Sequence, residues 1–170
     1  MNDTLEGPPI LSAIKASGVE VVVSVPDIVT SEGLLRPIST DPDLRHIRVC
    51  KEDEGVSICA ALSWCGVRAL LMMQQTGMYD SMNAIRAIAA GYGLPVCMLI
   101  GLQGAVAGED PLRSEKHIVR CALPALEAIE VDHHVLRRAR DVAAVAPAID
   151  GAYRRSRPVA LFVGAMLPGA

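Results

Sequence analysis

A carboxylate stands at Glu54, where an extended apolar run gives way to an Ala-rich run of helical period. The surrounding residues read Arg48-Val49-Cys50-Lys51-Glu52-Asp53-Glu54-Gly55. A carboxyl group at the end of a strand can accept or donate a proton in catalysis. Enclosure by Val49, Val56 and Ile58 would raise its pKa, because desolvation disfavours the anion. Its alternative role is that of a first-turn glutamate, which stabilises a helix N-terminus by about 0.3 to 1 kcal/mol.

Two further polar loops follow apolar runs. Asp27 comes directly after Pro26, where it can orient a substrate or relay a proton; a turn or N-cap aspartate before residues 29–40 is an equal alternative. Gln75, Thr76 and Tyr79 carry polar groups suited to lining a pocket. Thr76-Gly77 is also ordinary turn sequence, and Tyr79 also suits an interface.

The elements that must position these residues alternate regularly. Strands are predicted for the β-branched and apolar runs 19–25, 46–50, 68–73, 95–100 and 158–163. Helical periodicity predicts crossover helices over residues 8–17, 29–40, 54–65, 80–91, 115–129 and 135–150. Strands that are apolar on both faces are typical of parallel sheets. The sequence therefore predicts an α/β fold, a single doubly wound domain over residues 1–170 with a mostly parallel central sheet.

In such sheets ligands bind beyond the carboxyl ends of the strands, which is where the polar loops are expected. None of these loops has the Gly-x-Gly-x-x-Gly spacing of a dinucleotide site or the Gly-Lys-Ser/Thr ending of a phosphate loop. A nucleotide-binding function therefore loses its main support.

Composition excludes other classes. The formal charge is -3 and only five residues are Phe, Trp or Tyr, which does not suit nucleic-acid binding. Five cysteines without a C-x-x-C pair indicate reduced thiols, and the four histidines form no metal triad with them. The chain has no basic leader and no uninterrupted apolar segment of roughly 18 residues. We expect no membrane association and a cytoplasmic location.

Two blocks carry a resemblance to a known family. The first is Glu54-Gly55-Val56-Ser57-Ile58-Cys59-Ala60-Ala61, and the second runs from Met73 to Asn83 as MQQTGMYDSMN. The second block is similar to Met-Gln-Asn-Ser-Gly-Leu-Gly-Asn-Ser-x-Asn, although Tyr79 and Asp80 stand where the family carries Gly and Asn. Together they resemble the pyrimidine-binding domain of thiamine diphosphate enzymes, nearest to sulfopyruvate and phosphonopyruvate decarboxylases. The similarity extends from about residue 20 to about residue 130.

The resemblance implies roles for individual residues. Glu54, chosen over Glu52, would hydrogen-bond N1′ of the cofactor's aminopyrimidine and favour its imino tautomer. Gln75, Thr76 and Gly77 would contact the cofactor. Substrate or active-site loop candidates are Asp27, Tyr79 and His117; for His117 a surface or capping role is the stronger alternative. Glu52 and Asp53 are interpreted as solvated charges at the start of the helix.

The resemblance also implies a partner. Family members grip the cofactor's diphosphate through Mg²⁺ with a Gly-Asp-Gly sequence, which this chain lacks. A beta subunit carrying Gly-Asp-Gly is therefore expected in a hetero-oligomer, with Mg²⁺ held by that subunit and no metal ligand here. Methionines 72, 73, 78 and 82 are candidates for the interface, or for the core.

The implied activity is decarboxylation of a small 2-oxo acid with an anionic head group. A thiamine diphosphate-dependent carboligase, or a decarboxylase of another 2-oxo acid, is one alternative, which the Tyr79-Asp80 departure permits. A non-catalytic α/β partner module, in which Glu54 only caps a helix, is the other.

Overall fold

A computed structural model describes residues 3–169 of the chain. Its centre is a sheet of six strands in the order β2-β1-β3-β4-β6-β5, and every neighbouring pair is parallel. The strands are β1 (Val21–Ser24), β2 (Arg45–Arg48), β3 (Ala69–Gln74), β4 (Cys97–Gly101), β5 (Asp132–Leu136) and β6 (Val159–Val163). The predicted α/β fold with a parallel sheet is confirmed.

Helical segments connect the strands. The α-helices are α1 (Gly7–Ala16), α2 (Arg36–Thr40), α3 (Glu52–Trp64), α4 (Gln75–Asp80), α5 (Met82–Ala84), α6 (His117–Arg120), α7 (Ala122–Glu127) and α8 (Val145–Arg155). Ser31–Leu35 and Ile85–Ala90 are wider π-type turns, and Pro111–Arg113 and Ala139–Ala144 are 3₁₀ turns. Within residues 3–169 none of these helices has the length and apolarity needed to cross a membrane.

The sheet is covered on both faces because successive strand residues point to opposite sides. On one face, Val22, Leu70, Leu99 and Leu161 pack against α1, α2, α8 and the Ser31–Leu35 turn. On the other, Val23, Leu71, Met98 and Phe162 pack against α3, α4, α7 and the Ile85–Ala90 turn. This explains why the strands read as near-continuous apolar runs.

One strand was missed by the sequence analysis. β5 lies at the edge of the sheet and reads DHHVL, with exposed and partly buried residues in alternation. The prediction looked for apolar runs, and a half-covered edge strand does not contain one. The predicted helix over 135–150 is therefore wrong at its start, since residues 135 and 136 belong to β5 and α8 begins at Val145.

The methionines divide differently from the interface expectation. Met72, Met73 and Met78 are fully buried, and Met82 packs partly buried against the same core. The interface role predicted for the first three is wrong, because alternation along β3 and the inner face of α4 directs them into the two cores. The alternative role, a Met-rich core, is the one that the fold contains.

The strand order opens a crevice at the carboxyl edge. β1 lies between β2 and β3; the chain leaves β1 toward the face covered by α2, and leaves β3 toward the face covered by α4. Such a reversal of connection is where ligands bind in open α/β sheets. The loop that begins at Val25 and the start of α4 at Gln75 flank this crevice.

Phe162 is the largest fully buried side chain, and its ring lies 6.0 Å from that of His133. Replacing Phe162 by Ala is expected to lower the free energy of unfolding by about 3 to 5 kcal/mol, through lost burial and a cavity. Urea denaturation measures this. The matched control is Tyr92→Ala, since Tyr92 is 79% exposed and its truncation should change stability by less than about 0.5 kcal/mol. Equal losses in the two variants would contradict the packing described.

Candidate active site

The start of α3 brings Glu52 against α4. A Cβ atom built on the buried Gly77 would lie 2.1 Å from Oε1 of Glu52, so the carboxylate lies directly over this glycine. Glu52 is partly buried, and it forms no hydrogen bond or ion pair within residues 3–169. Its oxygens are not fully buried, so they can accept hydrogen bonds from water or from a ligand.

Glu54 occupies a different environment from the one predicted. Its Oε2 accepts hydrogen bonds from the backbone N–H groups of Cys50 (3.1 Å) and Lys51 (3.3 Å). This is the reciprocal half of a capping box, with Glu54 at the third helical position. The side chain is exposed, so the expected enclosure is wrong: capping turns the carboxylate back along the chain and away from the apolar side chains.

Gln75 joins the start of α4 to the loop after β4. It is fully buried; its Nε2 donates to the Gln103 carbonyl oxygen (2.8 Å), and its Oε1 accepts from the Gln103 N–H (2.9 Å). Both ends of the amide are therefore occupied within the chain. Thr76 is exposed and donates its hydroxyl to Oε1 of Gln74 (2.6 Å). Gln75, Thr76 and Gly77 were predicted to contact the cofactor. Of these, only Gly77 lies against Glu52, whose carboxylate has no partner within residues 3–169.

Asp27 organises the loop after β1. It is 6% exposed, and its Oδ1 accepts from the backbone N–H groups of Val29 (2.6 Å) and Thr30 (3.0 Å). Its Oδ2 accepts from the Thr30 hydroxyl (2.5 Å). Burial raises the pKa of this carboxyl, and the three hydrogen bonds oppose the rise. A Cβ on Gly101 would lie 2.6 Å from Oδ1, so the end of β4 packs against the same carboxylate. These contacts are those of a turn or capping aspartate, which was one of the two roles that the sequence left open for Asp27.

Tyr79 connects α4 to α6. Its hydroxyl donates to the carbonyl oxygen of Ile118 (3.0 Å), and burial raises the pKa of this phenol. His117 is exposed, with Nε2 3.4 Å from Sγ of Cys121 one helical turn away. Tyr79 thus joins α4 to the start of α6. His117, the first residue of α6, faces solvent.

An open pocket of about 500 Å³ lies beside the start of α3. It is lined by Asp53, Glu54, Ser57, Asp80, Asn83, Ala84, Ala87 and Ile88. Asp80 and Asn83 belong to the block that carries the family resemblance, but neither was proposed as a site residue. The pocket opens to solvent between α3 and the following helical segment.

The sequence contained a signal for Glu52 that was overlooked. The buried residues of α3 include Val56, Cys59 and Ala60, which lie four, seven and eight positions after Glu52. That spacing places Glu52 on the inward face of the helix. Glu54 instead shares the outward face with Ser57 and Ala61. The position of each side chain around the helix axis therefore distinguishes Glu52 from Glu54. Their nearness to the apolar run before α3 does not.

Comparison with curated proteins finds similarity to three proteins named sulfopyruvate decarboxylase subunit alpha. That of Methanococcus maripaludis is 28% identical over 73% of this chain and 72% of its own length. That of Methanothermobacter thermautotrophicus is 27% identical over 56% of this chain and 57% of its own. That of Methanocaldococcus jannaschii is 27% identical over 68% and 71%. No family model matches the chain.

The raised pKa of Asp27 predicts a pH dependence that Asp27→Asn removes. Asn keeps the Oδ1 acceptor and can donate to the Thr30 hydroxyl. Because the folded-state pKa lies above the ordinary 3.8, the folded state favours the protonated form. Wild-type stability at this site therefore falls as pH rises from below 3.8 through the folded-state pKa, and is constant above it.

Urea unfolding from about pH 3 to about pH 7 measures both proteins. The unfolding free energy of Asp27→Asn minus that of wild type should increase with pH and then level off. A difference that decreases with pH would mean that hydrogen bonding to the carboxylate outweighs its burial.

Proposed function

We propose that this chain, like the sulfopyruvate decarboxylase alpha subunits to which it is similar, is one subunit of a decarboxylase. In this proposal the chain binds the aminopyrimidine of thiamine diphosphate, and the substrate is a small 2-oxo acid with an anionic head group. The observation that carries the proposal is the unpartnered carboxylate of Glu52 over Gly77, at the carboxyl edge of the sheet.

The residues present fit an aminopyrimidine on two grounds. Glu52 offers a carboxyl whose oxygens are unoccupied within residues 3–169, as a hydrogen bond to a ring nitrogen requires. Gly77 leaves room for that carboxyl where any side chain would displace it. Glu54 fits less well, because its Oε2 is already used by the backbone of Cys50 and Lys51. We therefore propose Glu52 for the role that the sequence analysis gave to Glu54.

Thiamine diphosphate, when bound, supplies the electron sink for decarboxylation. Glu52 would hold a proton between its carboxyl and the pyrimidine N1′, in a position fixed by α3. Gln75 would keep α4, which contains Gly77, against the loop after β4 through its two hydrogen bonds to Gln103. Asp27 would hold the loop after β1 at the border of the substrate space, and Tyr79 would hold the start of α6 near it.

The second half of the site is proposed to come from another protein. The relatives' names include the words subunit alpha, which imply a partner subunit. This chain has no Gly-Asp-Gly sequence. We propose that a beta subunit carrying Gly-Asp-Gly holds Mg²⁺ and the diphosphate, and that the cofactor lies between the two proteins.

Reconstitution tests the function. The chain is mixed with a Gly-Asp-Gly subunit from the same genome, thiamine diphosphate and Mg²⁺, and aldehyde release from sulfopyruvate or phosphonopyruvate is measured. The pair should turn over, and the chain alone should not. Glu52→Gln should lower kcat by about 10² to 10⁴, whereas the matched Glu54→Gln should lower it less than about threefold.

The alternatives predict other outcomes. A large loss in Glu54→Gln with little change in Glu52→Gln would return the catalytic role to Glu54. Acyloin formation in place of aldehyde release would identify a carboligase. A pair that assembles but shows the same rate with both acids replaced would favour a non-catalytic module.

Gly77→Ala tests the geometry independently of the carboxyl itself. The three atoms nearest to the added methyl group are Oε1, Cδ and Cγ of Glu52, a flexible side chain that can move aside, so we expect stability to change by less than about 1 kcal/mol. Displacing Glu52 by about 1 Å should reduce turnover about a hundredfold and weaken binding of thiamine diphosphate to the pair. Both are measured in the reconstituted pair, cofactor binding by calorimetry.

The double variant supplies the control. If Gly77→Ala acts by moving Glu52, it should have little further effect in the Glu52→Gln background. Full additivity of the two losses would show that Gly77 acts by another route.

A further inference from the structure

Beyond Glu54 in its first turn, the outer face of α3 lacks the charges expected of a helix in water. From Gly55 to Val67 the chain contains no charged residue, although Ser57, Ala61 and Trp64 are exposed. A surface helix normally carries charged or polar side chains on its outer face. The outer face of α3 instead presents one hydroxyl, one methyl and one indole.

The neighbouring helical segment continues this surface. The Ile85–Ala90 turn packs beside α3 on the same face of the sheet, and both run toward the amino edge. Trp64 is 81% exposed at the end of α3, and Tyr92 is 79% exposed just after the neighbouring segment. Aromatic side chains are enriched in protein interfaces, and an exposed tryptophan is an unusual use of a large apolar surface.

Small residues lie between these two aromatics and the active-site end. We define the docking face as Ser57, Ala61, Trp64, Ala84, Ala87 and Tyr92. The pocket of about 500 Å³ forms a groove in its upper part, bounded by Ser57, Ala84 and Ala87 and, nearer the start of α3, by the acidic Asp53, Glu54 and Asp80. Small side chains let a packed helix approach closely, since the distance between helix axes depends on the residues at the contact. Arg86 is the one charged residue between Met82 and Tyr92.

The docking face is continuous with the proposed catalytic acid. Glu52 begins α3 and Trp64 ends it, so the same rigid helix carries the acid at one end and the exposed indole at the other. A protein that completes the cofactor site beside Glu52 must lie next to the start of α3. We propose that the docking face binds the beta subunit that holds the diphosphate, an inference that rests on the proposed function.

The size of the face agrees with a partner that also covers the site. Thirteen residues of α3 span about 20 Å, and two neighbouring helices cover a width of about 20 Å. The resulting area of about 400 Å² is half of the ~800 Å² that each protein buries in a standard interface. The rest would come from loops at the carboxyl edge, where Ile28 and Ile118 are exposed. A second copy of this chain on the docking face would supply no diphosphate-binding residues.

Charge insertion on the docking face tests the proposal. The full chain, with Trp64→Glu or Tyr92→Glu, is titrated against the purified Gly-Asp-Gly subunit, and the dissociation constant is measured by calorimetry. Each substitution should weaken association at least about tenfold, because it places an unpaired charge where a large aromatic side chain would be buried. Ala16→Glu is the matched control: Ala16 is exposed at the end of α1, which packs on the opposite face of the sheet, so the affinity of this variant should equal that of wild type.

The outcomes separate this proposal from the function. Wild-type affinity in both aromatic variants would overturn the docking face, even if the pair is an active decarboxylase. Weakened association together with absent decarboxylation would uphold the docking face and reject the function. A chain that is dimeric by light scattering alone, and monomeric with Trp64→Glu, would assign the face to a second copy and overturn the proposal. Circular dichroism confirms that each variant is folded.

Discussion

The approach of Glu52 to Gly77 is the constraint on which the site depends. It requires that α3 begin after a short connection from β2, that α4 begin immediately after β3, and that both start at the same edge of a parallel sheet. A glycine is needed at position 77 because a Cβ there would collide with the carboxylate. The contact therefore links strand order, helix start and residue type in one place.

Two neighbouring contacts keep that edge rigid. Gln75 fastens the start of α4 to the loop after β4, and Asp27 folds the loop after β1 over the end of β4. Both side chains are buried and have their oxygens occupied, so each restrains backbone where the chain would otherwise be free to move. Glu52 differs, since it is held in place and its carboxylate is left without a partner in residues 3–169.

Helix α3 has one role at each end in this account. Its inner face packs Val56, Cys59 and Ala60 on the sheet, which fixes the direction of Glu52. Beyond Glu54, its outer face is uncharged and ends at Trp64. A subunit bound along the outer face would be aligned by the same helix that aligns the acid. Assembly and chemistry would then share one rigid element, so the distance from partner to carboxyl would vary little.

The sequence predicted the fold better than the site. The four inner strands were recognisable because burial on both faces makes them apolar without interruption, whereas of the two half-exposed edge strands the sequence analysis found β2 and missed β5. The Glu52–Asp53–Glu54 cluster was found, but Glu54 was chosen for its match to the family block, and helical phase was not considered. The use of Gln75 as a clamp could not be predicted, because its partner lies 28 positions away and contributes only backbone. Met72, Met73 and Met78 lie in the core, which was the second of the two locations that the sequence left open for them.

The most direct test is the rate at which the C2 proton of thiamine diphosphate exchanges with deuterium in the assembled pair, measured by rapid quench and NMR without substrate. This rate isolates the contribution of the carboxyl from substrate binding and product release. Our account predicts slow exchange with Glu52→Gln and near wild-type exchange with Glu54→Gln, in complexes that retain the cofactor. Wild-type exchange in Glu52→Gln would contradict it.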